Sequence, residues 1–352
     1  MSAEWALPLR ESLALSRGLQ SGPAHSYTAD TAFIPWADHG VLLMEFARSR
    51  SLDTAAWLSA AGVSAGDALS PRQLLGLLLP LQRSAKDAAF VLGQLSLPGH
   101  FGLASQALHQ APNLLQALQV LTRFAAKLSP LLTPRLLLLE TELLLIWTDS
   151  CGCPASQRPL LVDQQMSAVV AMASWLGGRS LPWRFHFNRT RPADLSQHAV
   201  HLGTQLQFDC QIDAMRLDLQ VARQPWPERP GQAVQALMAL DQGADPAASR
   251  RGQLAALYEW LLPQAATPPT LAQAAEAFGV SPATFKRHLA QQGTHFQAEL
   301  DAVRSQVALY LLHQQGQSSE AVAQALGFYD STNFRRSFKR WTGLNPAHLG
   351  WA

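Results

Sequence analysis

Six basic side chains are the residues of this sequence with the most chemistry to offer. Lys286 and Arg287 stand side by side, and Arg335, Arg336, Lys339 and Arg340 fall within residues 331–342, a stretch with no acidic residue. Cations grouped in this way suit phosphate oxygens and the acceptor-rich edges of bases. Their location carries the argument, because the formal net charge of the 352-residue chain is only +2 and total charge alone does not announce a nucleic-acid partner. Hydrophobic residues make up 48% and charged residues 15%, a composition that builds packed cores, in about two domains at this length, and excludes a disordered chain.

Other reactive groups are weaker candidates. Cys151-Gly152-Cys153, with His198 and His201 as further ligands, invites a metal reading. Zinc sites usually separate paired cysteines by about two to four residues, so loop cysteines and no metal are expected. His186, between Phe185 and Phe187, reads as a core or pocket histidine. Trp36, Trp57, Trp147, Trp175 and Trp183 fit a core better than a ligand pocket. No nucleophile elbow, zinc-protease helix, phosphate loop or dinucleotide fingerprint occurs, so no catalytic residue and no cofactor is assigned. A non-enzyme is expected; an enzyme carrying a DNA-targeting tail is the reading that turnover by residues 1–245 would revive.

The three cysteines are too few for a disulfide scaffold in a chain this long and favour a reducing compartment. The opening residues 1–5 lack the basic and apolar regions of a signal peptide. The most apolar stretch, residues 131–147, is interrupted by Pro134, Arg135, Glu140 and Glu142, so no membrane span is expected. Together these features predict a cytoplasmic protein.

The cations need elements to hold them, and the sequence supplies these twice. Residues 271–289 and 319–338 can be laid over each other: Ala275 falls on Ala323, Phe278-Gly279 on Leu326-Gly327, and, with one extra residue in the second turn, Phe285, Arg287 and Leu289 on Phe334, Arg336 and Phe338. A small alanine lets two helices approach. A glycine accepts the positive φ of the turn, and Ser281, with Asp330 or Ser331, can cap the next helix. Phe285, Leu289, Phe334 and Phe338 then face inward while the cations face out. This is the pattern of a helix-turn-helix, and residues 297–314 have the spacing of a helix joining the two units. Two such units about one helical turn of DNA apart (~34 Å) could enter successive major grooves.

Before the repeat, the pattern is mixed. Residues 52–81 read as short helices broken at Gly62, Gly66 and Pro71, and residues 113–128 as an amphipathic helix. Residues 135–148 read as two strands around Glu140-Thr141-Glu142, residues 163–176 as a helix stopped at Gly177-Gly178, and residues 184–187 and 217–219 as strands. Pro-rich stretches at 224–230 and 242–246 mark linkers, and the domain boundary is placed near residues 245–250. The fold class expected is an α+β N-terminal effector domain (1–245) followed by an all-α C-terminal domain (250–352) with two helix-turn-helix units joined by a helix.

The C-terminal hundred residues resemble the AraC-type (arabinose-operon regulator) DNA-binding domain. The resemblance rests on Ala323, Leu326-Gly327-Phe328, the Phe334-x-Arg336-x-Phe338-Lys339 run and Gly343-x-x-Pro346, with Arg304-x-x-x-Ala308-x-x-Leu311-Leu312 in the joining helix. The family usually closes with Tyr-Arg shortly after the proline, where this sequence runs His348-Leu349-Gly350. Residues 74–219 resemble the arabinose-binding type of effector domain, chiefly in Leu114-Leu115-Gln116-Ala117-Leu118 leading to Phe124 and in His201-Leu202-Gly203 to Phe208.

The resemblance implies base-reading positions at Ala283, Lys286 and Arg287 in the first unit and at Thr332, Asn333 and Arg336 in the second. Arg335, Lys339 and Arg340 are then expected on phosphates. It further implies a transcription regulator, activator or repressor being equally open, working as a homodimer on promoter or operator half-sites in double-stranded DNA, with RNA polymerase a candidate partner. A small-molecule effector would bind the N-terminal domain, apolar rather than sugar given its Leu- and Trp-rich composition; its contact residues are not legible. The alternative is a ligand-independent regulator whose N-terminal domain serves dimerisation or protein contact.

Overall fold

The computed structural model describes residues 26–97, 99, 101–227, 245 and 247–348. The opening residues 1–5, most of the second Pro-rich stretch (242–244 and 246), residues 228–230 of the first, and the closing residues 349–350 lie outside the described residues.

After strand β1 (Ser26–Tyr27), the N-terminal part begins with a layer of helices whose starts are written in their caps. α1 spans Trp36–Ser49. α2 (Thr54–Ala60) is capped by Asp53, which accepts from the amides of Ala55 and Ala56. α3 (Pro71–Ser84) opens with proline at its first position and a reciprocal Ser70–Gln73 capping box, which satisfies amides that the helix itself leaves unpaired. α4 (Ala88–Ser96) and α5 (Leu103–His109) follow. The amphipathic stretch expected at 113–128 forms α6 (Leu114–Arg123), capped by Asn113, and a short α7 (Ala125–Leu128).

The two strands read around Glu140-Thr141-Glu142 are β2 (Leu132–Leu138) and β3 (Glu142–Asp149). α8 (Arg158–Gly177) starts five residues before the expected helix and stops at Gly178 as the glycine pair predicts. β4 (Arg184–His186), α9 (Ser196–His201), β5 (Leu206–Gln207), β6 (Ala214–Asp218) and α10 (Leu219–Arg223) complete this part. The sheet order is β2-β3-β6-β4-β5, antiparallel except for the β4–β5 pair.

The interior strand β3 is buried on both faces. Leu143, Leu145 and Trp147 belong to the core that the N-terminal helices cover. Leu144 and Ile146, with Leu137 of β2 and Ala214 of β6, belong to a second core closed by the C-terminal helices. A strand covered on both sides reads as a continuous apolar run rather than an alternation. That is why residues 131–147 are the most apolar stretch of the chain without being a membrane segment; among the described residues no helix is long and apolar enough to cross a membrane.

The C-terminal part is helical, as its periodicity predicts. A two-residue strand β7 (Arg251–Gly252) pairs in parallel with β1, tying the start of this part to the first described residues. There follow α11 (Gln253–Leu261), α12 (Leu271–Ala277), α13 (Pro282–Gln291), α14 (Phe296–His313), α15 (Ser319–Ala325) and α16 (Ser331–Thr342). The architecture is the expected α+β part followed by an all-α part with two helix pairs joined by α14.

Candidate nucleic-acid interface

Each helix pair is built by local rules that its sequence states. In the first, Thr270 caps α12 through a box with Gln273. Gly279 turns the chain at φ 66°, and Ser281 accepts from the amide of Thr284 to open α13. In the second, Ser318 caps α15, Gly327 turns at φ 68°, and Asp330, rather than Ser331, caps α16 by accepting from the amide of Asn333 at 2.7 Å. Positive φ is cheap for glycine alone. At Gly327 a second constraint applies, since a Cβ there would lie 2.1 Å from the carbonyl oxygen of Ala266.

The inward faces hold the pairs together. Phe285 and Leu289 of α13, and Phe334 and Phe338 of α16, are fully buried. Phe285 meets Phe278 with ring centroids 5.0 Å apart, and Phe334 meets Phe328 at 5.6 Å. Ala275 and Ala323 are buried where the paired helices approach.

The outward faces carry the candidate readers. Ala283, Lys286 and Arg287 on α13, and Thr332, Asn333, Arg335, Arg336, Lys339 and Arg340 on α16, are all exposed. Their engagement differs. Arg335 donates to its own helix, from Nε to the Ser331 carbonyl at 3.2 Å and from a terminal nitrogen to Ser331 Oγ at 3.1 Å. Asn333 donates to the capping carboxylate of Asp330 at 3.4 Å. Arg340 pairs with Asp301 of α14 at 3.1 Å. Lys286, Arg287, Arg336 and Lys339 form no ion pair among the described residues. An exposed cation without an internal partner keeps its charge available to a polyanion.

Two arginines matter more than the sequence disclosed. Arg304 of α14 is largely buried. It donates to the Leu326 carbonyl at 2.7 Å and lies over the ring of Phe328 at 4.2 Å, so it fixes the second helix pair to the joining helix. A cation inside the apolar stripe Leu300–Val303–Val307 was the signal. Arg135 of β2 does the same between the two parts: it pairs with Glu259 of α11 at 2.8 Å, donates to the Ala255 carbonyl at 3.1 Å and stacks on Tyr258 at 4.3 Å. Its Nε donates to the neighbouring strand at Thr148 Oγ1, 3.1 Å away, but the three partners across the junction lie more than a hundred residues along the chain, where no local pattern marks them.

The loop after β3 reaches the first reader directly. Asp149 accepts from the amides of Cys151, Gly152 and Cys153. A Cβ on Gly152 would lie 2.5 Å from the backbone oxygen of Gln292, the residue that ends α13. Gln292 in turn is buried and donates to Gln253. The Ser150 carbonyl accepts from the amide of Leu254 at 3.1 Å.

The other candidates separate. Cys151 and Cys153 sit on this loop, while His198 and His201 pack on Phe90, and among the described residues no group of three or more potential metal ligands assembles. His186 is buried, and burial, with Arg216 and Arg184 nearby, pushes it down to about 4, so it is neutral. Trp57, Trp147 and Trp183 are buried in the N-terminal core, Trp36 packs at its edge, and Trp175 is 52% exposed.

Comparison with known proteins agrees with both halves. Residues 274–350 match the helix-turn-helix domain model, and residues 52–226 match the arabinose-binding domain of AraC transcription regulator, N-terminal, a span wider at both ends than residues 74–219. An uncharacterized HTH-type transcriptional regulator of Mycobacterium tuberculosis is 25% identical over 87% of this chain and 93% of its own length. The ornithine utilization regulator of Pseudomonas aeruginosa is 28% identical over 73% of this chain and 76% of its own. Among solved structures, the transcriptional regulator CdpR from Pseudomonas aeruginosa aligns over 90% of this chain and 98% of its own at 20% identity, with a TM-score of 0.47. With a reader domain matched at one end and an arabinose-binding-type domain at the other, the chain belongs to the AraC-type family of DNA-binding transcription regulators.

Proposed function

We propose that this regulator reads DNA sequence through α13 and α16 and is controlled by a small-molecule effector, with residues 1–245 as the effector-binding and dimerising unit and 250–352 as the reader. One observation carries the reading: both second helices turn a cation-bearing, acid-free face to solvent while their aromatic faces are fully buried. In this reading Arg287 and Arg336 take guanine by paired donors, Lys286 and Thr332 contribute to base edges, Asn333 reads adenine after exchanging its Asp330 contact, and Ala283 offers apolar contact to a thymine methyl. Arg335, Lys339 and Arg340 hold phosphates, Arg340 after releasing Asp301.

The protein works as a cytoplasmic homodimer on half-sites, with RNA polymerase as its downstream partner. The effector is apolar in its larger part rather than a sugar, and it acts only insofar as it binds two arrangements of the chain with different affinity. Thermal-shift screening of the full chain against metabolites, with DNA affinity measured by fluorescence anisotropy in parallel, tests this. A compound that moves both quantities supports it. If no compound moves either while DNA binding is intact, effector control is wrong and the ligand-independent regulator replaces it, a reading that the exposed apolar side chains Trp175, Leu95 and Val200 of the N-terminal part favour.

A further inference from the structure

Two recesses lie where the sheet meets the C-terminal helices, and they are contiguous. The first, about 50 Å³, is walled by Leu137, Leu144 and Ile146 of the sheet and by Leu309 and Tyr310 of α14. The second, about 270 Å³, is polar and is walled by Asp149, Arg158 and Asp213 from the N-terminal part and by Glu299 and Gln306 from α14. Ile146, Ile212, Tyr258 and Gln306 line both, so one molecule can occupy the two together.

The charges of the polar recess do not balance. Arg158 is paired with Asp213 at 3.0 Å. Asp149 and Glu299 have no ion-pair partner among the described residues; Asp149 is held by three backbone amides and Glu299 accepts from Thr294 Oγ1 at 2.6 Å. Burial raises the pKa of both carboxyls, and the charge of Asp149 raises that of Glu299 further. Two carboxyls from two parts of the chain, neither in an ion pair among the described residues, therefore share a cleft with the single cation Arg158, beside a recess whose apolar wall is Leu137, Leu144, Ile146, Val307 and Leu309.

We infer that this junction binds a cationic amphiphile, a primary amine with a short apolar body, its ammonium between Asp149 and Glu299 and its body against Leu144, Ile146 and Leu309. The charge complementarity selects an amine over a carboxylate, and the apolar recess selects a hydrocarbon tail over a sugar. A ligand seated here touches the strand β3, whose loop abuts Gln292 at the end of α13, and touches α14, which carries both helix pairs. It would bias how the two readers are set. The inference rests on the effector-controlled reading above and assigns it a place and a ligand class.

Calorimetric titration of the full chain with n-hexylammonium chloride and with sodium hexanoate is the test, with anisotropy on a labelled DNA duplex run on the same samples. Saturable binding of hexylammonium and none of hexanoate is expected. Glu299→Gln, which keeps the Thr294 contact, should weaken hexylammonium binding at least about tenfold, and Ile212→Ala, at the seam of the two recesses, several-fold, both with unchanged circular dichroism. Equal binding of hexanoate, or hexylammonium binding indifferent to both substitutions, or no binding of hexylammonium to a chain that still binds DNA, overturns the site. Loss of DNA binding in the unsubstituted chain would overturn the regulator reading instead, and the titration would still judge the site.

Discussion

The guanidinium of Arg135 and the carboxylate of Glu259 pair at 2.8 Å across the junction of the two parts, with Arg135 only 7% exposed. The stack on Tyr258 and the bond to the Ala255 carbonyl make this one arginine the main polar fastening between sheet and α11. Taking one partner from a buried pair leaves the other desolvated and uncompensated.

Arg135→Ala is accordingly expected to cost about 3 kcal/mol, and Glu259→Gln less, because the glutamate is 26% exposed. Differential scanning calorimetry should show a lower Tm for the arginine variant and a transition that splits as the two parts uncouple. A single unshifted transition would show that the second core alone holds the junction.

Arg336→Ala and Lys339→Ala separate reading from gripping. The first should cost ~1–3 kcal/mol of affinity at the preferred site and relax preference at one base position. The second should weaken all sequences alike and lower the salt dependence by about one counterion. Anisotropy titrations on a site and its point variants, over a range of salt, distinguish the two patterns; identical behaviour of the two variants would contradict the assignment.

The turn glycines make an internal comparison. Both have φ near 67°, yet an added Cβ meets nothing at Gly279 and strikes the Ala266 carbonyl at Gly327. Gly279→Ala should cost about 1 kcal/mol for the left-handed backbone alone. Gly327→Ala should cost distinctly more, since backbone must move, and urea denaturation of the two variants would show it.

Acid should destabilise the N-terminal part through two histidines. His39, by burial, and His186, by burial and then by Arg216 and Arg184, are both held near a pKa of about 4, against an ordinary value of 6.5. Between these values the unfolded chain binds more protons, so the stability these groups contribute is complete above about pH 6.5 and is lost as pH falls toward 4. His39→Gln should flatten the fall of unfolding free energy between pH 7 and 4.5. An unchanged slope would mean that other groups dominate the acid response.

The repeat was the legible part. Ser281, Gly279 and Gly327 act on neighbours within four residues, and Phe285, Leu289, Phe334 and Phe338 follow the helix period, so sequence alone placed the turns, the buried rings, the outward cations and the Ser281 cap, while it left the second cap between Asp330 and Ser331. α1, α4 and α5 were not foreseen because tertiary burial on several sides blurs the single apolar stripe that marks a helix; α4, for example, buries Ala88, Ala89, Phe90, Leu92, Gly93 and Ser96. The partners of Arg135, and the meeting of Asp149 with Glu299, depend on contacts between distant segments for which no local pattern exists.

In β3, consecutive residues answer to different halves of the molecule: Leu145 to the N-terminal core and Ile146 to the C-terminal one. The partition between the halves is thus one strand thick. A slip of β3 by one residue would hand each core the other's side chains, so the strand is locked from both sides. Movement admitted at this wall must be a tilt or shift of the strand as a whole, felt on both faces at the same moment.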